Sequence, residues 1–95
     1  MTAQPADRDR VNLTLLIRAY CHLCDEMRAA LVPLAQGAGI AVSEIDVDSD
    51  PALEARWGDA VPVLLAGGRE LCRYRMDQPK VAAFLSGIAR GREFG

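Results

Sequence analysis

Two cysteines three residues apart, Cys21 and Cys24, stand where a strand-forming run meets a helix-forming one. Before them lies Leu13-Thr14-Leu15-Leu16-Ile17, aliphatic and β-branched. After them Leu23, Met27, Ala30, Leu31 and Leu34 recur at helical spacing. Residues i and i+3 on a helical turn face each other, close enough for a disulfide with little strain. The first cysteine meets the unpaired N–H groups and positive dipole end of the helix, and both favour a thiolate. The placement therefore predicts Cys21 as the attacking thiol in disulfide exchange and Cys24, one turn deeper, as the resolving thiol.

A chain of 95 residues is expected to form one domain with one core, and at 51% hydrophobic residues it has the material for that core. A net charge of −2 gives no general attraction to nucleic acid or an acidic membrane, so neither is an expected partner. No apolar run approaches the ~20 residues of a membrane span. Residues 1–11 read as a flexible tail without an apolar signal core, which leads to the expectation of a cytoplasmic protein with reduced thiols. Three cysteines are too few for a disulfide framework, which points them to catalysis or metal binding.

Leu13–Arg18 is predicted as a central strand, because it lacks clean alternation. A helix follows from about His22 to Gln36, ended by Gly37 and Gly39, with Pro33 expected to kink it near Ala29 or end it early. Ile40–Val47 forms the second strand. Ser49-Asp50-Pro51 starts a short helix carrying Leu53 and Trp57 on one face and stopped by Gly58. Val61–Ala66 and Glu70–Arg75 are strands joined by a Gly67-Gly68 hairpin turn. Asp77 caps the last helix, whose stripe is Val81, Phe84, Leu85 and Ile88 and whose end is Gly91. The order is β-α-β-α-β-β-α, with the domain over 12–90 and a second tail over 91–95.

The Cys-x-x-Cys at a helix start, Ile45-Asp46-Val47-Asp48-Ser49-Asp50-Pro51, Trp57-Gly58 and Val61-Pro62 together resemble the glutaredoxins and thioredoxins. In size and in Cys-His-Leu-Cys the chain is most similar to the small glutaredoxin-like proteins of the thioredoxin-fold superfamily. The resemblance implies an α/β thioredoxin-like fold with a four-stranded mixed sheet flanked by helices. It implies a cis Val61–Pro62 bond facing the cysteines and a thiol–disulfide oxidoreductase with Cys21 and Cys24 as catalytic residues. Arg18, Tyr20, His22, Val61 and Pro62 form the implied substrate-contact set. Partners would be protein or small-molecule disulfides. No cofactor is expected to be bound; glutathione or a thioredoxin-type protein would act as reductant. The expected form is a monomer. Glutathione-binding glutaredoxins carry a Gly-Gly pair after the fourth strand, where this chain has Leu71-Cys72-Arg73-Tyr74-Arg75-Met76-Asp77. Weak glutathione binding is the expectation.

Two other functional classes remain open at this stage. Cys21, Cys24, His22 and Cys72 are soft ligands for zinc or copper, or for a cluster shared between chains. A non-catalytic interaction domain would keep the fold with inert thiols. His22 is either a helper of the Cys21 thiolate or an exposed spacer. Asp25 and Glu26 oppose a nearby thiolate, whereas the helix dipole and Arg18 favour it. Cys72 reads as a core thiol, Trp57 as packing, and Arg73 with Arg75 as a solvated strand face.

Overall fold

The structure, a computed structural model, describes the backbone of residues 12–94 and the side chains of residues 12–87. The expected N-terminal tail over 1–11 and the Ile88 side chain lie outside these limits. In order, the elements are β1 (Leu13–Ile17), α1 (His22–Ala38), β2 (Val42–Asp46), a 3-10 turn (Val47–Ser49), α2 (Pro51–Trp57), β3 (Val63–Ala66), β4 (Arg69–Arg73) and α3 (Gln78–Phe94).

The strands form one mixed sheet in the order β2-β1-β3-β4. β1 runs parallel to β2 and antiparallel to β3, and β3 runs antiparallel to β4. The missing alternation in β1 has its cause in burial on both faces. Leu13 and Leu15 join α1 and α3 in one core, with Met27, Leu31, Ala35, Val81 and Leu85. Leu16 joins the other core, with Val47, Trp57, Ala60 and Val63 under α2. Two helices thus cover one face and a short helix covers the other. No helix among the described residues is long and apolar enough to cross a membrane.

Local chemistry explains the element ends. Asp50 caps α2 by accepting from the Ala52 N–H at 2.8 Å, with Pro51 in the first turn. Asp77 accepts from the Lys80 N–H at 3.1 Å at the start of α3. Gly67 and Gly68 take φ of 57° and 88°, as a tight hairpin turn requires. β3 begins only after Pro62, which has no N–H for the ladder. β4 stops at Arg73 because Tyr74 turns to a left-handed φ of 68°, so Arg75 lies beyond the strand rather than on its face.

Three boundary expectations are corrected. α1 starts at His22 as expected and runs to Ala38, two residues past Gln36, so of the two outcomes expected at Pro33 the early end does not occur; Pro33 and Ala29 are both exposed, so the carbonyl that loses its partner faces water. Gly37 stays helical, and Gly39 alone supplies the left-handed cap at φ 70°, with the Ile40 N–H closing on the Ala35 carbonyl at 2.9 Å. α3 runs past Gly91 to Phe94, so residues 91–94 are helix rather than tail. One glycine costs a helix only about 1 kcal/mol, and residues 92–94 include no proline.

Leu31 is fully buried between α1 and the sheet. Leu31→Ala is predicted to destabilise the domain by about 2–5 kcal/mol. Urea unfolding followed by Trp57 fluorescence measures it, and a loss under 1 kcal/mol would contradict this core assignment.

Candidate active site

β1 is a central strand, and its C-terminal end opens on Arg18-Ala19-Tyr20-Cys21. In open α/β sheets this end is where ligands gather. Ala19 and Tyr20 make a turn in which Tyr20 takes a left-handed φ of 58° and stands fully exposed. The turn delivers Cys21 to the N-cap of α1 in an extended conformation. Its sulfur does what a serine or aspartate oxygen does at other helix starts. It accepts the Cys24 N–H at 3.1 Å, one of the donors left without a helical partner.

Cys21 and Cys24 are joined as a disulfide, with Cα atoms 5.2 Å apart. Cys21 is half-buried, whereas Cys24 is 1% exposed. The two sulfurs are therefore unequal in access: an incoming group reaches Cys21 first. His22 is exposed at the first position of α1.

The charges around the pair are organised into ion pairs. Arg28 binds Glu44 of β2 through Nε and Nη2 at 2.7 and 3.0 Å, and Asp25 through Nη1 at 2.9 Å. One of the two carboxylates that oppose a Cys21 thiolate is thus offset by a guanidinium. Arg18 points away from α1 to the other layer. Its Nε and Nη2 hold Asp48 at 3.1 and 2.9 Å, Nη2 also donates to Glu54 at 3.1 Å, and Nη1 donates to the Gly58 carbonyl at 3.2 Å. Arg18 holds the Asp48 carboxyl below its ordinary range, chiefly through these hydrogen bonds.

The Val61–Pro62 bond is cis, as the resemblance implies. Pro62 is fully buried and Val61 packs on the α2-side core. Tyr74 braces this segment from both ends. Its N–H donates to the Pro62 carbonyl at 2.9 Å and its hydroxyl to the Asp59 carbonyl at 3.3 Å. A groove of about 280 Å³ lies between the first turns of α1 and the link from β4 to α3, lined by Leu23, Glu26, Met27, Tyr74, Arg75 and Met76.

The four soft ligands considered for a metal do not assemble. Among the described residues no three His, Cys, Asp or Glu side chains gather to hold an ion. Cys72 is buried in the core shared by α1 and α3, where loss of hydration raises its pKa.

A family model described as a glutaredoxin-like domain (DUF836) matches residues 12–86. The chain belongs to this glutaredoxin-like family. It is similar to the protein Rv0508 of Mycobacterium tuberculosis, at 34% identity over 79 residues, covering 78% of this chain and 81% of that protein. The solution structure of Ne2328 from Nitrosomonas europaea superposes with a TM-score of 0.69 at 35% identity, covering 77% of this chain and 88% of that one. A thioredoxin from Halobacterium salinarum gives a TM-score of 0.56 at 27% identity, covering 90% and 77%. The fold of this glutaredoxin-like domain is the thioredoxin fold.

Within the glutaredoxin-like domain, Gly67-Gly68 turns the hairpin, and the link after β4 has no glycine at all. Its left-handed position is held by Tyr74 instead. Sequence reasoning missed Tyr74, Asp48, Glu54 and Gly58 as neighbours of the site. No local signal marks them, because their partners lie 15, 30, 36 and 40 residues away in the chain.

Burial and the cap geometry predict a fixed order of thiol reactivity in the reduced protein. Limiting iodoacetamide at neutral pH should modify Cys21 first and Cys24 later. Cys72 should react only on unfolding, because its raised pKa keeps it a neutral thiol until pH climbs above the ordinary thiol range. Peptide mapping reads the order, and early labelling of Cys24 or Cys72 would reverse these assignments.

Proposed function

We propose that this glutaredoxin-like protein is a thiol–disulfide oxidoreductase working through Cys21 and Cys24. The observation that carries the reading is the unequal pair itself. A half-exposed sulfur accepts an N–H at the helix start, and its bonded partner lies buried one turn further on.

The reduced protein would begin with Cys21 as thiolate, held by the Cys24 N–H and the positive end of α1. It attacks one sulfur of a substrate disulfide. A Cys21–substrate bond forms as the substrate S–S bond breaks, and the leaving thiolate takes a proton from water. Cys24 then loses its proton and attacks the Cys21 sulfur. The substrate's second thiolate departs and the Cys21–Cys24 bond closes. Two electrons have passed from the protein to the substrate. A dithiol reductant, or two glutathione molecules, reverses these steps on the protein and restores the thiols.

Val61 and Pro62 supply the backbone beside which an extended substrate would lie, with Tyr20 and His22 exposed on the cysteine side. Glutathione is read as reductant rather than tight ligand, since the link after β4 offers Tyr74, Arg75 and Met76 where a glycine pair would let a backbone approach closely. A reducing compartment such as the cytoplasm suits this chemistry.

Cys21→Ser is predicted to abolish reduction of a peptide disulfide. Cys24→Ser should instead stall as a stable mixed disulfide, visible as one substrate mass added at Cys21. Intact-mass spectrometry after a brief reaction distinguishes them. An active Cys21→Ser protein, or a Cys24→Ser protein that never traps substrate, would sink the mechanism.

A further inference from the structure

We infer that Arg18 is a positioning residue, a staple between the loop that carries the cysteines and the loop that carries Val61–Pro62, and not an anchor for an anionic substrate. The inference rests on the oxidoreductase reading for its consequence, but its geometry stands independently.

Arg18 is three residues before Cys21, at the end of β1. Its side chain reaches the 3-10 turn at Asp48, α2 at Glu54 and the main chain at Gly58, where the segment leading to Val61–Pro62 begins. One guanidinium thereby ties both loops to the same point. Four of its five N–H groups are used in these contacts. The planar fork that recognises a carboxylate in a two-bond arrangement is already filled by Asp48. Electrostatics add to the geometry: one cation faces two carboxylates, so the cluster carries net negative charge and repels an approaching carboxylate.

Gly58 is packed tightly into the same cluster. A methyl group there would stand 2.9 Å from Glu54 Oε2 and 3.1 Å from Arg18 Nη2, besides 2.6 Å from the Glu54 carbonyl. The nearest of these atoms, the Glu54 carbonyl, is main chain and cannot give way, so glycine is required at 58 by its own backbone, and the guanidinium packs closely against it. A single exposed ion pair contributes little, but a shared two-bond network fixes geometry.

The staple and the anchor make opposite predictions for Asp48→Asn. Freed from its carboxylate, an anchoring Arg18 would bind an anionic substrate better. A positioning Arg18 would lose its hold, and the variant would behave like Arg18→Gln. Pre-reduced wild type, Arg18→Gln, Arg18→Lys, Asp48→Asn and the double variant Arg18→Gln/Asp48→Asn would be mixed with oxidised glutathione, which is anionic, or with bis(2-hydroxyethyl) disulfide, which is neutral. Single-turnover rates are the readout. The expected result is that Arg18→Gln and Asp48→Asn slow both disulfides alike, by about fivefold or ~1 kcal/mol of barrier. The double variant should be no slower than either, and Arg18→Lys should recover part of the rate.

Faster reaction of Asp48→Asn with oxidised glutathione, or a loss in Arg18→Gln confined to that substrate, would overturn the proposal in favour of an anchor. Unchanged rates with both disulfides would overturn it as well. Amide hydrogen exchange on the same variants reads positioning without any activity. Exchange should quicken in residues 19–24 and 58–62 together, and protection unchanged in either segment would refute the staple. A wild-type protein inert to both disulfides would remove the oxidoreductase reading, and the exchange data would still decide the role of Arg18.

Discussion

β1 has a hydrogen-bonded neighbour on each side and a helical layer on each face, so its C-terminal end cannot shift without disturbing both cores. Leu15 and Leu16 are consecutive and both buried, one in each core. A strand clamped in this way delivers its last residues to a fixed point. From that point the chain makes one left-handed turn at Tyr20 and starts α1 at Cys21. The position of the Cys21 sulfur is therefore set by the most constrained segment of the sheet. Only three residues, Arg18 and the exposed turn Ala19-Tyr20, lie between them.

The same junction explains why a sulfur serves as the helix cap. A capping oxygen satisfies a backbone N–H and nothing more. A capping sulfur satisfies it too, and can in addition bond to a second sulfur one turn on. The Cys24 N–H contact at 3.1 Å thus joins the helix start to the disulfide: the donor that α1 needs satisfied is the donor that the Cys21 sulfur accepts. Arg28 supports the arrangement by drawing Asp25 toward Glu44 of β2. Asp25, one of the two acidic residues after the cysteines that suit the dipole of a helix start, is thereby paired with a cation.

Much of the fold was legible because local chemistry and packing agreed. Asp50-Pro51, Gly67-Gly68 and Asp77 each mark a terminus through a mechanism that acts within a few residues. The aliphatic run Leu13–Ile17 and the spacing of Leu23, Met27 and Leu31 gave β1 and α1. The misreadings have a common cause. Pro33 and Gly91 are breakers judged by propensity, and a helix long enough to be held elsewhere carries each of them. In the site, Cys21, Cys24 and the cis Val61–Pro62 bond were legible from spacing and from the family likeness. Arg18 was legible as a basic residue near the dithiol, but its partners were not. Asp48, Glu54 and Gly58 come to it through tertiary structure alone, and no periodicity in the chain relates them. Tyr74 was hidden for another reason: a left-handed tyrosine runs against residue preference, and only the tertiary bonds to Asp59 and Pro62 hold it there.

The third cysteine shows how the sheet keeps a thiol out of reach of the other two. Cys72 pairs with Leu64 in the β3–β4 ladder, and the register shifts between Leu64 and Leu65. In a regular strand Leu71 and Cys72 would point to opposite faces. The irregularity lets both enter the core beneath α1 and α3, where they lie with Leu31, Val81 and Leu85. An unirregular strand that kept Leu71 in this core would turn Cys72 to the α2 side, where Arg73 and Trp57 lie 6.0 Å apart near the surface. Burial there would be thinner, because α2 has seven residues where α1 has seventeen. Placed in the larger core, Cys72 is shielded from oxidants and its pKa is pushed up by the loss of water. The irregularity in β4 thus keeps the one free thiol among the described residues inside a core and apart from the Cys21–Cys24 disulfide.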